Sequence, residues 1–139
     1  MDLHDQKKKK NLVNLEKLSI LDKVSLFEYL KNDNKFIEKK ILKIKPSQIY
    51  ILSGLSSVKK SFSSPIETYR SNIIIPFKIL EICRKRKLDI KIYNSVSTDC
   101  FGNQKSILNE RSNFYPVSPY AKSKSYAYWL IKYYRETFN

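Results

Sequence analysis

The chain has 139 residues, a formal net charge of +14, two glycines, two cysteines and one histidine. A single histidine, His4, excludes His-based triads, HExxH zinc sites and multi-histidine metal centres, and Cys83 and Cys100 have neither metal-ligand spacing nor the density of a disulfide scaffold. Lys, Ile, Asn, Ser and Tyr are abundant together while Gly, Ala, Trp and His are scarce. The positive charge therefore reads as residue usage rather than a nucleic-acid surface, which would enrich Lys and Arg alone.

No apolar run approaches the ~20 residues of a membrane span. The polar, basic N-terminus has no apolar stretch behind it, so the expectation is a cytoplasmic protein. Residues 1–12 hold Lys7–Lys10 and read as a basic, solvated tail. Leu12, Leu15, Leu18 and Leu21 then recur at helical spacing over 11–21. Val24-Ser25-Leu26-Phe27 reads as a short strand at 24–28. Phe36 to Ile44 reads as a helix stopped by Pro46. Gln48 to Ser53 is an apolar strand ending at Gly54. Residues 66–86 form a long helical stretch on Ile73, Ile74, Phe77, Leu80, Ile82 and Cys83. Ile90 to Val96 is a third strand, 103–117 a polar loop, and 119–137 a last helix with Pro119 in its first turn. Strands separated by helical connections give an α/β fold, with a partial Rossmann-like, doubly wound parallel sheet over residues 13–139.

Two places carry chemistry. Tyr120 and Lys124 stand four residues apart at a helix entry, so they share a face. A phenol titrates near ~10, and a fixed positive charge close by favours its phenolate. Such a Tyr can take a hydroxyl proton while the carbon gives up hydride. Tyr128 and Lys132 repeat the spacing but lie mid-helix, where packing explains them. At the end of the third strand, Ser97-Thr98-Asp99 offers hydroxyls and a carboxylate. That set could bind and deprotonate a sugar, or merely cap backbone groups.

The run Tyr93-Asn94-Ser95-Val96-Ser97-Thr98-Asp99-Cys100-Phe101-Gly102, a loop, and Phe114 to Lys124 resembles the catalytic core of the extended short-chain dehydrogenase/reductase family. Tyr126-Ala127-Tyr128-Trp129 and Tyr134-Arg135-Glu136 point to its GDP-mannose 4,6-dehydratase branch. Lys45 to Phe62 is similar to the family's fourth strand and cofactor-facing loop, and Pro65, Glu67, Asn72 and Glu81 to its next helix.

The resemblance implies NADP, a GDP-mannose-type sugar nucleotide and an oligomer, while hydropathy and composition point away from a membrane or nucleic-acid partner. It implies Ser97, Asp99, Tyr120 and Lys124 as catalytic residues. Leu52, Ser53, Gly54, Ser56, Tyr120 and Lys124 would face the cofactor. An epimerase or reductase of the same superfamily, or a non-catalytic remnant, is the alternative implied.

The chain departs from that pattern. With two glycines it has no three-glycine phosphate turn. If Gly102 sets the register, Asp99 stands where the family has Glu and Ser97 where it has Thr or Ser. A rival register pairs Thr98-Asp99 with a Thr-Asp and puts Cys100 in the Glu position, but it needs a deletion before Gly102. Leu55 replaces a polar Gln. Tyr29 or a neighbour replaces an acid, and Ile75-Pro76 replaces Gly-Thr, where a mid-helix proline would cost ~3 kcal/mol. The expectation is a dehydratase fragment that is inactive alone.

Overall fold

The structure, a computed structural model, describes residues 12–27 and 35–138. The chain divides into two compact units, Met1–Asn34 and Lys35–Asn139.

In the first unit residues 12–17 are helical (α1). The helix ends because Ser19 enters the left-handed region at φ 52°. Ser19 N–H then donates to Glu16 O and Ile20 N–H to Leu15 O, closing a Schellman turn. The helix expected over 11–21 is thus shorter, and Leu21–Lys23 form a 3₁₀ turn. The strand expected at 24–28 is not formed over 24–27, where Val24, Leu26 and Phe27 are exposed. A β-pattern without a partner edge has no ladder to stabilise it. Residue 28, Tyr29 and residues 1–11 of the tail expected over 1–12 lie outside the described residues, and Leu12 belongs to α1.

The second unit opens with α2 (Phe36–Ile44), as the periodicity predicts. Next come β1 (Gln48–Ile51), α3 (Val58–Ser63), α4 (Pro65–Tyr69), a π-helical turn (Arg70–Ile74) and α5 (Ile75–Arg86). β2 (Lys91–Asn94), a 3₁₀ turn (Thr98–Phe101) and α6 (Pro119–Phe138) complete it.

β1 and β2 pair in parallel, Ile49 opposite Ile92 and Tyr50 opposite Tyr93. Among the described residues the sheet has these two strands rather than the expected three. Because side chains alternate along a strand, Ile49, Ile51 and Ile92 share one face. There Ile51 packs with Ile41 of α2 and Ile79 and Cys83 of α5, bordered by Ile37, Ile75, Ile82, Leu88 and Ile90. The opposite face carries Tyr50 and Tyr93, 62 % and 53 % exposed, with ring centroids 5.7 Å apart.

The helical stretch expected over 66–86 forms as one unbroken run from Pro65 to Arg86 with a π turn inside it, and Pro76 accounts for that turn. A proline inside an α-helix lacks a donor and collides with the carbonyl four residues back, here that of Asn72. The wider π turn at Arg70–Ile74 lies just ahead of Pro76 in the same helical run, and its looser spacing lets the helix take in the proline without ending. α3 falls where the sequence predicts a loop. Ser57 starts it by accepting from Lys60 N–H at 3.2 Å, and Pro65 opens the next helix two residues after its end.

Candidate active site

Both strands run the same way, so the segments after β1 and after β2 leave from one end of the sheet. In open α/β sheets that carboxyl end is where ligand crevices form. Three pieces of chain meet these criteria: 52–56 after β1, 95–102 after β2, and the first turn of α6.

Leu52, Ser53 and Ser56 are exposed, and Gly54 turns the chain at φ 128°, a conformation open essentially to glycine. A Cβ on Gly54 would stand 2.0 Å from Asn72 Oδ1, so a side chain is excluded by contact as well as by torsion. The π turn is what reaches this loop. Ser71 Oγ accepts from Leu55 N–H at 3.3 Å, and Asn72 Nδ2 donates to Leu55 O at 3.1 Å. Asn72 Nδ2 also donates to Ser123 Oγ at 2.9 Å, and Ser123 Oγ donates to Tyr120 O at 2.7 Å. Buried Asn72 thus ties the loop after β1 to the turn that carries Tyr120. In the sequence Asn72 is only one of the residues that resemble the family's helix, and Ser71 on its own carries no signal of a role. The available signal was a polar pair interrupting an apolar helical stretch just before a proline.

After β2, Ser97 caps the 3₁₀ turn, its Oγ accepting from Asp99 N–H at 3.3 Å. The same hydroxyl donates to Asp99 Oδ2 at 3.0 Å. The two expected catalytic groups are therefore bonded to each other, and Asp99 is exposed. Gly102 follows at φ 66°, where a Cβ would lie 2.1 Å from Tyr115 O. That close approach lets Tyr115 N–H donate to Cys100 O at 2.9 Å, pinning both ends of the 103–114 loop. Phe114, from the loop's end, packs against Phe101, Tyr128 and Trp129. Tyr128 is thereby an aromatic packing residue, as its mid-helix place implies.

α6 begins with Ser118 Oγ accepting from Ala121 N–H at 3.0 Å. Tyr120 and Lys124 are each 7 % exposed. The Tyr120 hydroxyl has no hydrogen-bond partner among the described residues and is not one of the enclosed orphan atoms, so it keeps a path to solvent. Lys124 Nζ donates to Ser95 O at 3.0 Å and to Ser95 Oγ at 3.2 Å. Burial pushes the Lys124 ammonium below its ordinary value, partly opposed by neighbouring Cys100. Cys100 is wholly buried, its thiol 3.7 Å from Ala121 O.

The nicotinamide-ribose half of a dinucleotide fits this end: an unpartnered phenol, an ammonium with a spare proton, and a glycine-only turn. The pyrophosphate half finds no glycine-rich turn here. Among the described residues no cluster of His, Cys, Asp and Glu could hold a metal. A groove of 670 Å³ lies at the opposite end of β2, lined by Leu80, Cys83, Ile92, Tyr134 and Phe138. Ser97, Asp99, Tyr120 and Lys124 do not border it.

The sequence model of the GDP-mannose 4,6 dehydratase family matches residues 1–139. The GDP-mannose 4,6-dehydratase of Vibrio cholerae is 33 % identical over 109 residues, covering 76 % of this chain and 29 % of that protein. The human GDP-mannose 4,6 dehydratase is 32 % identical over 110 residues, covering 77 % of this chain and 30 % of that protein. The chain thus spans less than a third of the length of these curated relatives.

Among solved structures, the UDP-Glc/GlcNAc 4-epimerase of Campylobacter jejuni superposes with a TM-score of 0.80 at 19 % identity, over 90 % of this chain and 38 % of that one. A UDP-N-acetylglucosamine 4-epimerase from Methanobrevibacter ruminantium M1 gives 0.67 at 27 % identity, over 78 % and 35 %. The fold is therefore the Rossmann-like α/β fold of these sugar-nucleotide enzymes. No helix among the described residues is long and apolar enough to cross a membrane.

Proposed function

We propose, from the premise that this chain belongs to the GDP-mannose 4,6-dehydratase family, that its carboxyl-end site is the catalytic half of an NADP-dependent dehydratase acting on GDP-mannose. The observation that carries the reading is the placement of Tyr120 and Lys124 at the helix entry behind β2, with Ser97 and Asp99 on the adjoining turn. In this reading residues 13–139 are the nicotinamide-binding part of a cytoplasmic, oligomeric enzyme. NADPH accompanies one structural neighbour, from Pseudomonas aeruginosa, and NAD accompanies two epimerases; these support a nicotinamide, and the choice of NADP follows the family.

When bound, the nicotinamide accepts a hydride and later returns it. Tyr120 takes the proton of the sugar C4 hydroxyl as that carbon is oxidised, and Ser97 hydrogen-bonds the oxygen. Lys124 supplies positive charge on the Tyr120 face and a donor for the ribose. Asp99 removes the C5 proton that the new ketone has acidified, and water departs from C6. Without substrate the Ser97 hydroxyl proton goes to Asp99 Oδ2; in the reaction it turns to the sugar oxygen, which releases the Asp99 carboxylate to act as base. An epimerase or reductase would have no use for a carboxylate there, which favours the dehydratase reading.

The test is a chimera of the Vibrio cholerae enzyme carrying residues 91–138 of this chain in place of its matching stretch. It should form a 4-keto product from GDP-mannose, and Tyr120→Phe should lower turnover at least ~100-fold. A chimera that binds NADP and GDP-mannose yet makes no 4-keto sugar would overturn the reading.

A further inference from the structure

We infer that Ser95, at the carboxyl end of β2, is the positioning residue for Lys124, holding two of its three ammonium protons and so fixing the direction of the third. Its catalytic meaning rests on the reading of Lys124 just given; its physical content does not.

A buried ammonium must have its donors met. Lys124 is 7 % exposed, and no carboxylate pairs with it among the described residues. Ser95 supplies both acceptors, its carbonyl at 3.0 Å and its hydroxyl at 3.2 Å. Ser95 is itself held by the sheet. Its N–H donates to Ile51 O at 3.4 Å, extending the β1–β2 ladder by one bond, and Asn94 Nδ2 donates to its carbonyl at 3.3 Å. The anchor of Lys124 is therefore the end of the sheet rather than a loop.

The other groups facing Lys124 are Cys100 on the 3₁₀ turn and Tyr120 on its own helix. Neither accepts a hydrogen bond from it. With two protons committed to one residue, the third can point only away from Ser95. Losing the hydroxyl frees the ammonium to rotate about the remaining carbonyl bond. It also removes a group that favours the charged form, so the Lys124 pKa must fall.

Ser95→Ala separates this role from plain helix–sheet packing, because packing alone would not move a titration. The 139-residue chain, labelled with ¹³C-lysine, is titrated by NMR, with Lys124→Arg identifying the Lys124 Cε resonance. Ser95→Ala should lower the Lys124 pKa by about half to one unit, and Ser95→Thr, which keeps the hydroxyl, should restore it. Ser95→Cys, similar in size but a weak acceptor, carries the same test if the alanine variant does not fold. An unchanged Lys124 titration in folded Ser95→Ala or Ser95→Cys overturns the inference. The measurement needs neither cofactor nor turnover, so it can fail while the dehydratase reading holds, or the reverse.

Discussion

Glu81 shows how far one side chain can couple two helices. On α5 it receives Arg84 Nε at 2.7 Å, Lys85 Nζ at 3.3 Å and, from α6, the Tyr134 hydroxyl at 2.6 Å. The hydrogen bond from Arg84, then that from Tyr134, holds the Glu81 carboxyl down to about 2. Burial, then the bond to Glu81, pushes the Tyr134 phenol up to about 12. The signs give two windows. A carboxylate depressed in the folded state stabilises fully above its ordinary value of 4.5 and loses that contribution as pH falls toward about 2. A phenol raised in the folded state stabilises below its ordinary value of 10.0 and loses that contribution as pH rises toward about 12. Glu81→Gln should therefore flatten the acid limb of a stability–pH profile measured by thermal unfolding, and Tyr134→Phe the alkaline limb. A Glu81→Gln profile that retains the full wild-type acid slope between pH 4.5 and 2 would show that other carboxylates carry it.

At the level of elements, scarcity of glycine shapes the helix ends. α5 closes with Lys87 at φ 50°, Lys87 N–H donating to Arg84 O and Leu88 N–H to Cys83 O. This is a Schellman turn with lysine in the position glycine usually takes. The left-handed region costs an L-residue roughly 1–2 kcal/mol, against which glycine's extra freedom in the unfolded chain is set. Lys87→Gly should raise stability by about 0.5–1 kcal/mol in urea unfolding, and a loss would mean that the lysine side chain holds something else in place. This also explains which elements were legible in the sequence. α2, α6 and the helical run that contains Pro76 follow from apolar periodicity, because each buries one stripe. β1 and β2 follow from short apolar runs bounded by Pro46, Gly54 and Asp89. The failures have physical causes. Val24–Phe27 has a strand's composition, but pairing is a property of a neighbour that composition does not contain. α3 is set by one serine cap and a proline, too little for a periodicity of 3.6 to register. The π turn arises from Pro76 and cannot be seen in a hydrophobic pattern. The sequence singles out Tyr120 and Lys124 by their place at a helix entry and Ser97 and Asp99 by the family motif, whereas Ser95 and Asn72 act through distances that only folding creates.

At the scale of the whole molecule, the sheet and the site are unequal halves. One face of the β1–β2 pair is covered by α2 and α5, while Tyr50 and Tyr93 leave the other open to solvent. Parallel sheets are ordinarily buried on both faces, so among the described residues this face lacks the layer that would complete it. The same incompleteness governs cofactor affinity. Dinucleotides are gripped chiefly at the pyrophosphate, by backbone N–H groups of a glycine-rich turn and the positive end of the helix behind it. Both glycines of this chain are committed elsewhere: Gly54 to its contact with Asn72, Gly102 to its contact with Tyr115. What remains is the nicotinamide-ribose end, where Tyr120 and one proton of Lys124 offer a few hydrogen bonds to a flexible ligand. Each such bond is worth about 1 kcal/mol net, and immobilising the cofactor costs several times that. The 139-residue chain should therefore bind NADP more weakly than millimolar in calorimetry and form no product from GDP-mannose, while the chimera that restores the glycine-rich turn recovers both. Micromolar binding by the chain alone would mean that a second phosphate-binding element exists in it, and Lys124→Ala would then separate that element from the ribose contact by leaving most of the affinity in place.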